Sequence, residues 1–104
     1  MSYQVELINT LAQLQQHKEA IDVLRPTLAA DPNNPRWHLR MARLLMEQLD
    51  PSAADLAQAV DNARRACELT EFGRKDALLL LAELFDAVGE KDDADTARRR
   101  AQEL

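Results

Sequence analysis

The side chains with the clearest chemical potential are three arginines, Arg36, Arg40 and Arg43, which follow one another at intervals of four and three residues. That spacing places them on one stripe of an α-helix. Guanidinium groups bind carboxylates through paired N–H donors, and a position near the start of a helix favours an anion further. Three like charges on one stripe repel one another unless carboxylates lie close to them. The pattern therefore indicates a surface that binds carboxylate groups.

Two sources could supply those carboxylates. Within the chain, Glu47 follows Arg43 by one helical turn, and Asp76 and Glu83 fall on a later predicted helix. Outside the chain, an acidic segment or the terminal carboxylate of a partner protein would serve. The net charge is -5, so acidic residues are plentiful, and the sequence leaves both sources open.

The arginines directly follow residues 19–35, a segment that ends in several turn-forming Pro and Asn residues and has the sequence EAIDVLRPTLAADPNNP. Its apolar residues have helical spacing: Ala20, Ile21, Leu24 and Leu28. Pro32 cannot continue this helix, and Asn33-Asn34-Pro35 favours a turn that starts a new one. The segment therefore predicts a helix, a short turn and a second helix.

This unit recurs, and it resembles the tetratricopeptide repeat, in which small residues stand where two helices touch. The residues that carry the resemblance are Leu7, Ile8, Leu11, Ala20, Leu24, Thr27 and Pro32 in the first copy, Met41, Ala42, Leu45, Ala59, Ala63 and Ala66 in the second, and Leu81, Ala82, Phe85, Ala94, Arg98 and Ala101 in the third. Ala59 lies 39 residues after Ala20, against a family period of 34, so the second copy carries about five extra residues around 50–55. The resemblance implies one all-α domain, a right-handed superhelix of three helical hairpins, with repeats at about 1–34, 35–74 and 75–104.

Capping and turn residues predict where the six helices begin and end. The expected ranges are about 2–14, 18–30, 34–48, 50–69, 75–88 and 91–104. Asn33 or Asn34 should cap the third helix, and Asp50 the fourth, because each stands just before a proline-containing first turn. Gly89 should end the fifth helix in the left-handed conformation.

In tetratricopeptide repeat proteins, the first helices of successive repeats line a concave groove that holds a peptide or a helix of a partner. Carried over residue by residue, the resemblance implies these groove residues: Val5, Asn9, Arg36, Leu39, Arg40, Arg43, Met46, Leu79 and Glu83. Leu78, Leu81 and Phe85 are predicted to face the core. Leu79 and Leu80 point either toward the groove, where they would form an apolar floor beside Leu39 and Met46, or toward a neighbouring element, in which case the sixth helix would cover them.

The resemblance thus implies a scaffold that binds an acidic or amphipathic segment of another protein. One family subtype, which clamps the terminal carboxylate of chaperones, can be tested at its five positions: Val5, Asn9, Arg40, Asp76 and Leu80. Only Asn9 matches that subtype, so a chaperone-tail clamp is not expected. The alternative function is a structural or self-association module, either a homo-oligomerising domain such as a homodimer or a fragment of a longer tetratricopeptide repeat protein.

The sequence contains no residue pattern typical of an enzyme or of a metal site. Cys67 lies among apolar helical residues and is predicted to be a buried hydrophobe instead of a nucleophile. His17 and His38 have no companions at metal-ligand spacing, and Gly73 and Gly89 are isolated, so no phosphate-binding loop is formed. We therefore expect no catalysis, no metal and no cofactor.

Nucleic acid and membrane partners are not expected either. The chain is acidic and lacks a continuous basic face, which argues against nucleic acid binding. No apolar stretch approaches the ~20 residues of a membrane span. No secretory leader opens the sequence, so a cytoplasmic protein is the expectation.

Overall fold

The computed structural model describes residues 6–10 and 16–104 of the 104-residue chain. Residues 6–10 are helical and form α1. They are followed by α2 (His17–Ala30), α3 (Pro35–Met46), α4 (Ala53–Leu69), α5 (Lys75–Ala87) and α6 (Lys91–Gln102), with no strand in this part of the chain. The all-α prediction is confirmed, and only residues 6–10 of the predicted first helix fall within the described residues.

The helices pack in chain order, α2 on α3, α3 on α4, α4 on α5 and α5 on α6, and α3 also touches α5. Alanines fill the helix contacts and are at most 5% exposed: Ala20, Ala42, Ala59, Ala63, Ala66, Ala77, Ala82, Ala94, Ala97 and Ala101. Because an alanine keeps only a methyl group at the contact, neighbouring helix backbones can approach closely. Larger side chains, such as Leu24, Leu45 and Leu84, fill the remaining interior.

None of the helices in the described ranges combines the length and the apolar character that a bilayer crossing requires.

The turn between α2 and α3 is held by side-chain hydrogen bonds. Asn34 caps α3, since its side chain accepts from the Arg36 backbone N–H at 3.0 Å. Asp31 Oδ2 accepts from Asn34 Nδ2 at 3.0 Å and from Trp37 Nε1 at 3.3 Å. Pro35 occupies the first helical turn, where its missing N–H costs nothing. This turn fixes where α3 begins, and hence which face carries the arginines.

The predicted cap of α4 is wrong by two residues. Ser52, and not Asp50, is the N-cap, and α4 begins at Ala53. Ser52 Oγ accepts from the Asp55 N–H at 3.0 Å, and Asp55 Oδ2 accepts from the Ser52 N–H at 3.1 Å. This reciprocal capping box satisfies two N–H groups at once, which a cap at Asp50 would not do. Hydrogen bonds from Ser52 also lower the pKa of the Asp55 carboxyl.

Gly89 ends α5 as predicted, with φ of +84°. The Glu90 N–H donates to the Phe85 carbonyl at 2.8 Å and the Gly89 N–H to the Asp86 carbonyl at 3.1 Å. These are the two hydrogen bonds of a Schellman motif, which closes the turn into α6.

The same motif ends α4, but without a glycine at the left-handed position. The Phe72 N–H donates to the Cys67 carbonyl at 2.7 Å and the Glu71 N–H to the Glu68 carbonyl at 3.1 Å. Glu71 and Phe72 consequently have φ of 53° and 58°. A left-handed conformation costs a side-chain-bearing residue about 1–2 kcal/mol. At Phe72 this conformational cost is offset by two contacts. The side chain packs against the core, and the centre of its ring lies 4.5 Å from the Arg100 guanidinium carbon.

Substitution of Glu71 by glycine should therefore stabilise the fold. Glycine removes the left-handed penalty but loses more backbone entropy on folding, so we expect a net gain of about 0.5–1 kcal/mol in the free energy of unfolding. Urea denaturation of Glu71→Gly measures it. Glu71→Ala keeps a Cβ and is the matched control, with no gain expected. If the Glu71→Gly protein were no more stable than the Glu71→Ala protein, the claim of backbone strain at residue 71 would be contradicted.

Cys67 is fully buried at the end of α4, as the sequence predicts. Burial raises the pKa of its thiol from the ordinary 9.0 to about 11. We expect no reaction with a thiol reagent such as DTNB at pH 8 in the native state, and rapid reaction in urea. Accessible reactivity at pH 8 without denaturant would contradict the buried placement.

The raised pKa of Cys67 also makes stability depend on pH. Because the folded state disfavours the thiolate, the contribution is complete below about pH 9 and is lost as the pH rises towards 11. The difference in unfolding free energy between the wild type and Cys67→Ala should shrink over that window. The comparison with Cys67→Ala removes the contributions of Tyr and Lys groups that titrate there.

Candidate binding groove

The arginine stripe lines a cavity of about 290 Å³ at the face shared by α3 and the start of α5. Its walls are Arg36, Leu39, Arg40, Arg43, Arg74 and Asp76. Four guanidinium groups thus surround the cavity against one carboxylate. The structure brings together five residues at positions that the resemblance implied for the groove, Asp76 among them, and adds Arg74, which it did not imply.

The one carboxylate in the cavity wall is already engaged. Arg74 Nε donates to Asp76 Oδ1 at 2.7 Å, and the Ala77 backbone N–H donates to the same oxygen at 2.9 Å. The hydrogen bond from Arg74 is the main cause that holds the pKa of the Asp76 carboxyl below its usual range. Asp76 therefore neutralises Arg74 and leaves the three arginines of α3 without it.

The other acidic residues expected to pair with the stripe do not reach it. Glu47 Oε1 lies 4.0 Å from His17 Nε2, on the side of α2. Across residues 6–10 and 16–104, no carboxylate oxygen lies within 4.0 Å of a guanidinium nitrogen of Arg36, Arg40 or Arg43. The remaining ten residues contain no Asp or Glu. The three arginines are thus not paired with carboxylates of the described residues. Such internal pairing was one of the two alternatives that the sequence left open.

Two of the three arginines are held by uncharged neighbours. Arg40 Nη1 donates to Asn9 Oδ1, which ties α1 to α3. The guanidinium carbon of Arg36 lies 5.9 Å from the centre of the Trp37 ring, within the range of a cation–π contact. Neither contact neutralises a charge. Each restricts a long side chain, so part of the ordering that a bound anion would require is already present.

His38 holds α3 in place against its neighbours. Its Nε2 donates to the Pro32 carbonyl at 2.7 Å, and its Nδ1 lies 2.9 Å from Asn62 Oδ1 on α4. Arg65 of α4 also donates to Asn33 Oδ1, at 3.4 Å. The turn that starts α3 is therefore tied to α4 on the side away from the arginines.

The apolar floor is smaller than the sequence suggested. Leu79 is 44% exposed, as expected, but Leu80 is only 2% exposed. For Leu80 the structure contains the second of the two alternatives, cover by neighbouring helices, because α5 packs against both α4 and α6 and a wide arc of its surface is buried. Leu39 and Met46 are half-buried and pack against the core.

The remaining predicted groove residues do not line the cavity. Leu79 and Glu83 follow Asp76 at helical spacing on α5 and are both exposed, so they extend the same face beyond the cavity. Val5 lies outside the described residues. Arg74 was missed because it precedes its helix, although its position two residues before Asp76 was a visible signal.

No group of three or more His, Cys, Asp or Glu side chains within the described ranges is arranged to hold a metal ion.

Comparison with known proteins identifies the scaffold. A model of the family described as Tetratricopeptide repeat matches residues 11–55, which include α2, α3 and the turn between them. The match covers less than half of the chain and shows that residues 11–55 are similar to this family. No curated protein matches the chain in sequence.

Solved structures with a similar arrangement of helices cover nearly the full length of this chain. The structure described as MamA MSR-1 C2 has a TM-score of 0.80 at 20% identity and covers 96% of this chain and 54% of that one. A MamA point mutant also has a TM-score of 0.80 at 20% identity, and covers 98% and 70%. This chain thus spans little more than half of the first structure. The likeness confirms the right-handed superhelix of helical hairpins, and the family supports an interaction scaffold with protein partners in general.

Proposed function

We propose that this tetratricopeptide repeat domain binds an acidic segment of a partner protein in the groove lined by α3 and α5. The observation that carries the proposal is the cavity in which Arg36, Arg40 and Arg43 form no ion pair with a described carboxylate, because Asp76, the one carboxylate of the wall, is paired with Arg74. Guanidinium groups recognise carboxylates through paired hydrogen bonds, so an acidic segment is the ligand that this wall fits.

The surroundings of the cavity add a second requirement. Leu39 forms part of the cavity wall, and Leu79 stands exposed on the same face of α5. A segment that presents carboxylates on one side and an apolar residue on the other would contact both. An amphipathic acidic helix or an extended acidic peptide with a leucine meets this requirement.

The net charge of the chain makes the basic groove selective. The rest of the surface is acidic enough to give a net charge of -5, so an acidic partner is repelled elsewhere and attracted at the groove. Complementary charges of this kind accelerate association and orient the partner. We therefore expect binding to weaken as salt is added, because the guanidinium groups are accessible to solvent ions.

Charge reversal in the groove should remove binding of acidic peptides. We expect the double variant Arg36→Glu and Arg43→Glu to bind a fluorescein-labelled peptide of alternating Glu and Leu at least about tenfold more weakly, equivalent to about 1.4 kcal/mol. Fluorescence anisotropy measures the affinity. Arg40 is left in place so that its bond to Asn9 is kept.

The matched control is the double variant Lys18→Glu and Arg25→Glu, which makes the same charge change at two exposed positions of α2. It should change the affinity less than twofold. Equal losses in the two variants would mean that only net charge matters, and unchanged binding in the groove variant would mean that the arginines are not the site. Light scattering at two protein concentrations tests the competing self-association function, which predicts a mass that rises with concentration.

A further inference from the structure

A second cavity, of about 310 Å³, lies between α4 and the turn that joins α5 to α6. Its floor is apolar and consists of Ala57, Val60, Phe85 and Val88. Its rim is charged and consists of Asp61, Arg64, Glu90 and Asp93. It shares no residue with the arginine cavity, and we call it the acidic cleft.

The floor of the acidic cleft is open because of the residue that closes the α5 turn. In a Schellman motif, an apolar residue two positions past the cap commonly packs against the residue that accepts its hydrogen bond. In this turn that position holds Glu90, which is exposed, and the acceptor is Phe85. Val88 in the same turn is 38% exposed. The turn thus leaves Val88 and Ala57 exposed above Val60 and Phe85, which form the bottom of the cleft and are each 8% exposed.

The rim of the cleft carries more negative than positive charge. Arg64 Nη1 lies 4.0 Å from Asp61 Oδ1, and its guanidinium carbon lies 5.8 Å from the Phe85 ring centre. Among the residues that the structure describes, no Lys, Arg or His nitrogen lies within 4.0 Å of a carboxylate oxygen of Glu90 or Asp93. Three carboxylates and one guanidinium leave the rim negative.

We propose that the acidic cleft docks a segment of a second protein that presents one apolar side chain flanked by lysine or arginine. The floor would take the apolar side chain, and Glu90 and Asp93 would take the flanking cations. This site goes beyond the groove function, since its charge is the opposite of that of the arginine cavity. One segment cannot satisfy both, so the domain would hold two partner segments of opposite charge at once.

Nuclear magnetic resonance of the full chain tests the cleft with a defined probe. A blocked peptide Gly-Lys-Leu-Lys-Gly should shift the amide signals of Val60, Val88 and Asp93 in a saturable manner. Gly-Lys-Gly-Lys-Gly, which lacks the apolar side chain, and Gly-Glu-Leu-Glu-Gly, which reverses the charges, should bind at least about fivefold more weakly. Equal binding of the three peptides would overturn the proposal, as would the lack of saturable shifts at the cleft.

Two neighbouring residues on α6 provide a matched pair of variants. Asp93 lines the cleft, while Asp92 belongs to the same first turn but lines a different surface depression. Asp93→Lys should weaken binding of the lysine–leucine peptide at least about fivefold, and Asp92→Lys less than twofold. Both changes affect the helix dipole equally, so their stabilities should match. Equal weakening would show non-specific attraction and would overturn the proposal.

Two further readouts separate the alternatives. The groove variant Arg36→Glu with Arg43→Glu should leave the cleft titration unchanged, so failure of one site is distinguishable from failure of the other. Amide shifts at the cleft that follow protein concentration without peptide would show that a second copy of this chain occupies it. That result would overturn the assignment to a different partner.

Discussion

Close helix contacts at alanine are the constraint on which the rest of the structure depends. Ala42, Ala59, Ala63 and Ala77 are wholly buried where α3, α4 and α5 meet, so these helices approach closely and leave little interior volume for long side chains. Arginine cannot be accommodated there, and the long side chains of α3 therefore extend to its free face. A larger residue at any of these alanines would force the helices apart and change the spacing of the arginine wall.

The charge distribution follows from this packing. Arg98 on α6 meets Asp86 and Asp95, and Arg74 meets Asp76, so this chain pairs several of its arginines with its own acids. The arginines of the α3 stripe have uncharged neighbours instead. The Asn9 amide contacts Arg40 and the Trp37 ring contacts Arg36, and each orients a guanidinium group without neutralising it. Exposed ion pairs contribute little to stability, so leaving these charges unpaired costs the fold little.

The sequence predicted the features that arise from local chemistry. Helix periodicity, the Asn34 cap, the Gly89 stop and buried Cys67 each depend on a few adjacent residues, and all are confirmed. The features that it missed or left open depend on tertiary contacts. Leu80 is buried by two neighbouring helices, and the left-handed turn at Glu71 and Phe72 contains neither Gly nor Asn at those positions. The groove lies between these cases: the sequence showed the arginine stripe, but Arg74 was missed, and with it the engagement of Asp76.

The central claim is that the arginines of α3 lack carboxylate partners within their own chain. The free energy of unfolding of the double variant Arg36→Gln and Arg43→Gln, measured in urea at low and at high salt, tests it most directly. Removing like charges that face no acid should leave stability unchanged or raise it by about 0.2–0.5 kcal/mol at low salt, and salt should erase the difference. A loss of about 1 kcal/mol at low salt that disappears at high salt would reveal internal ion pairs and contradict the account.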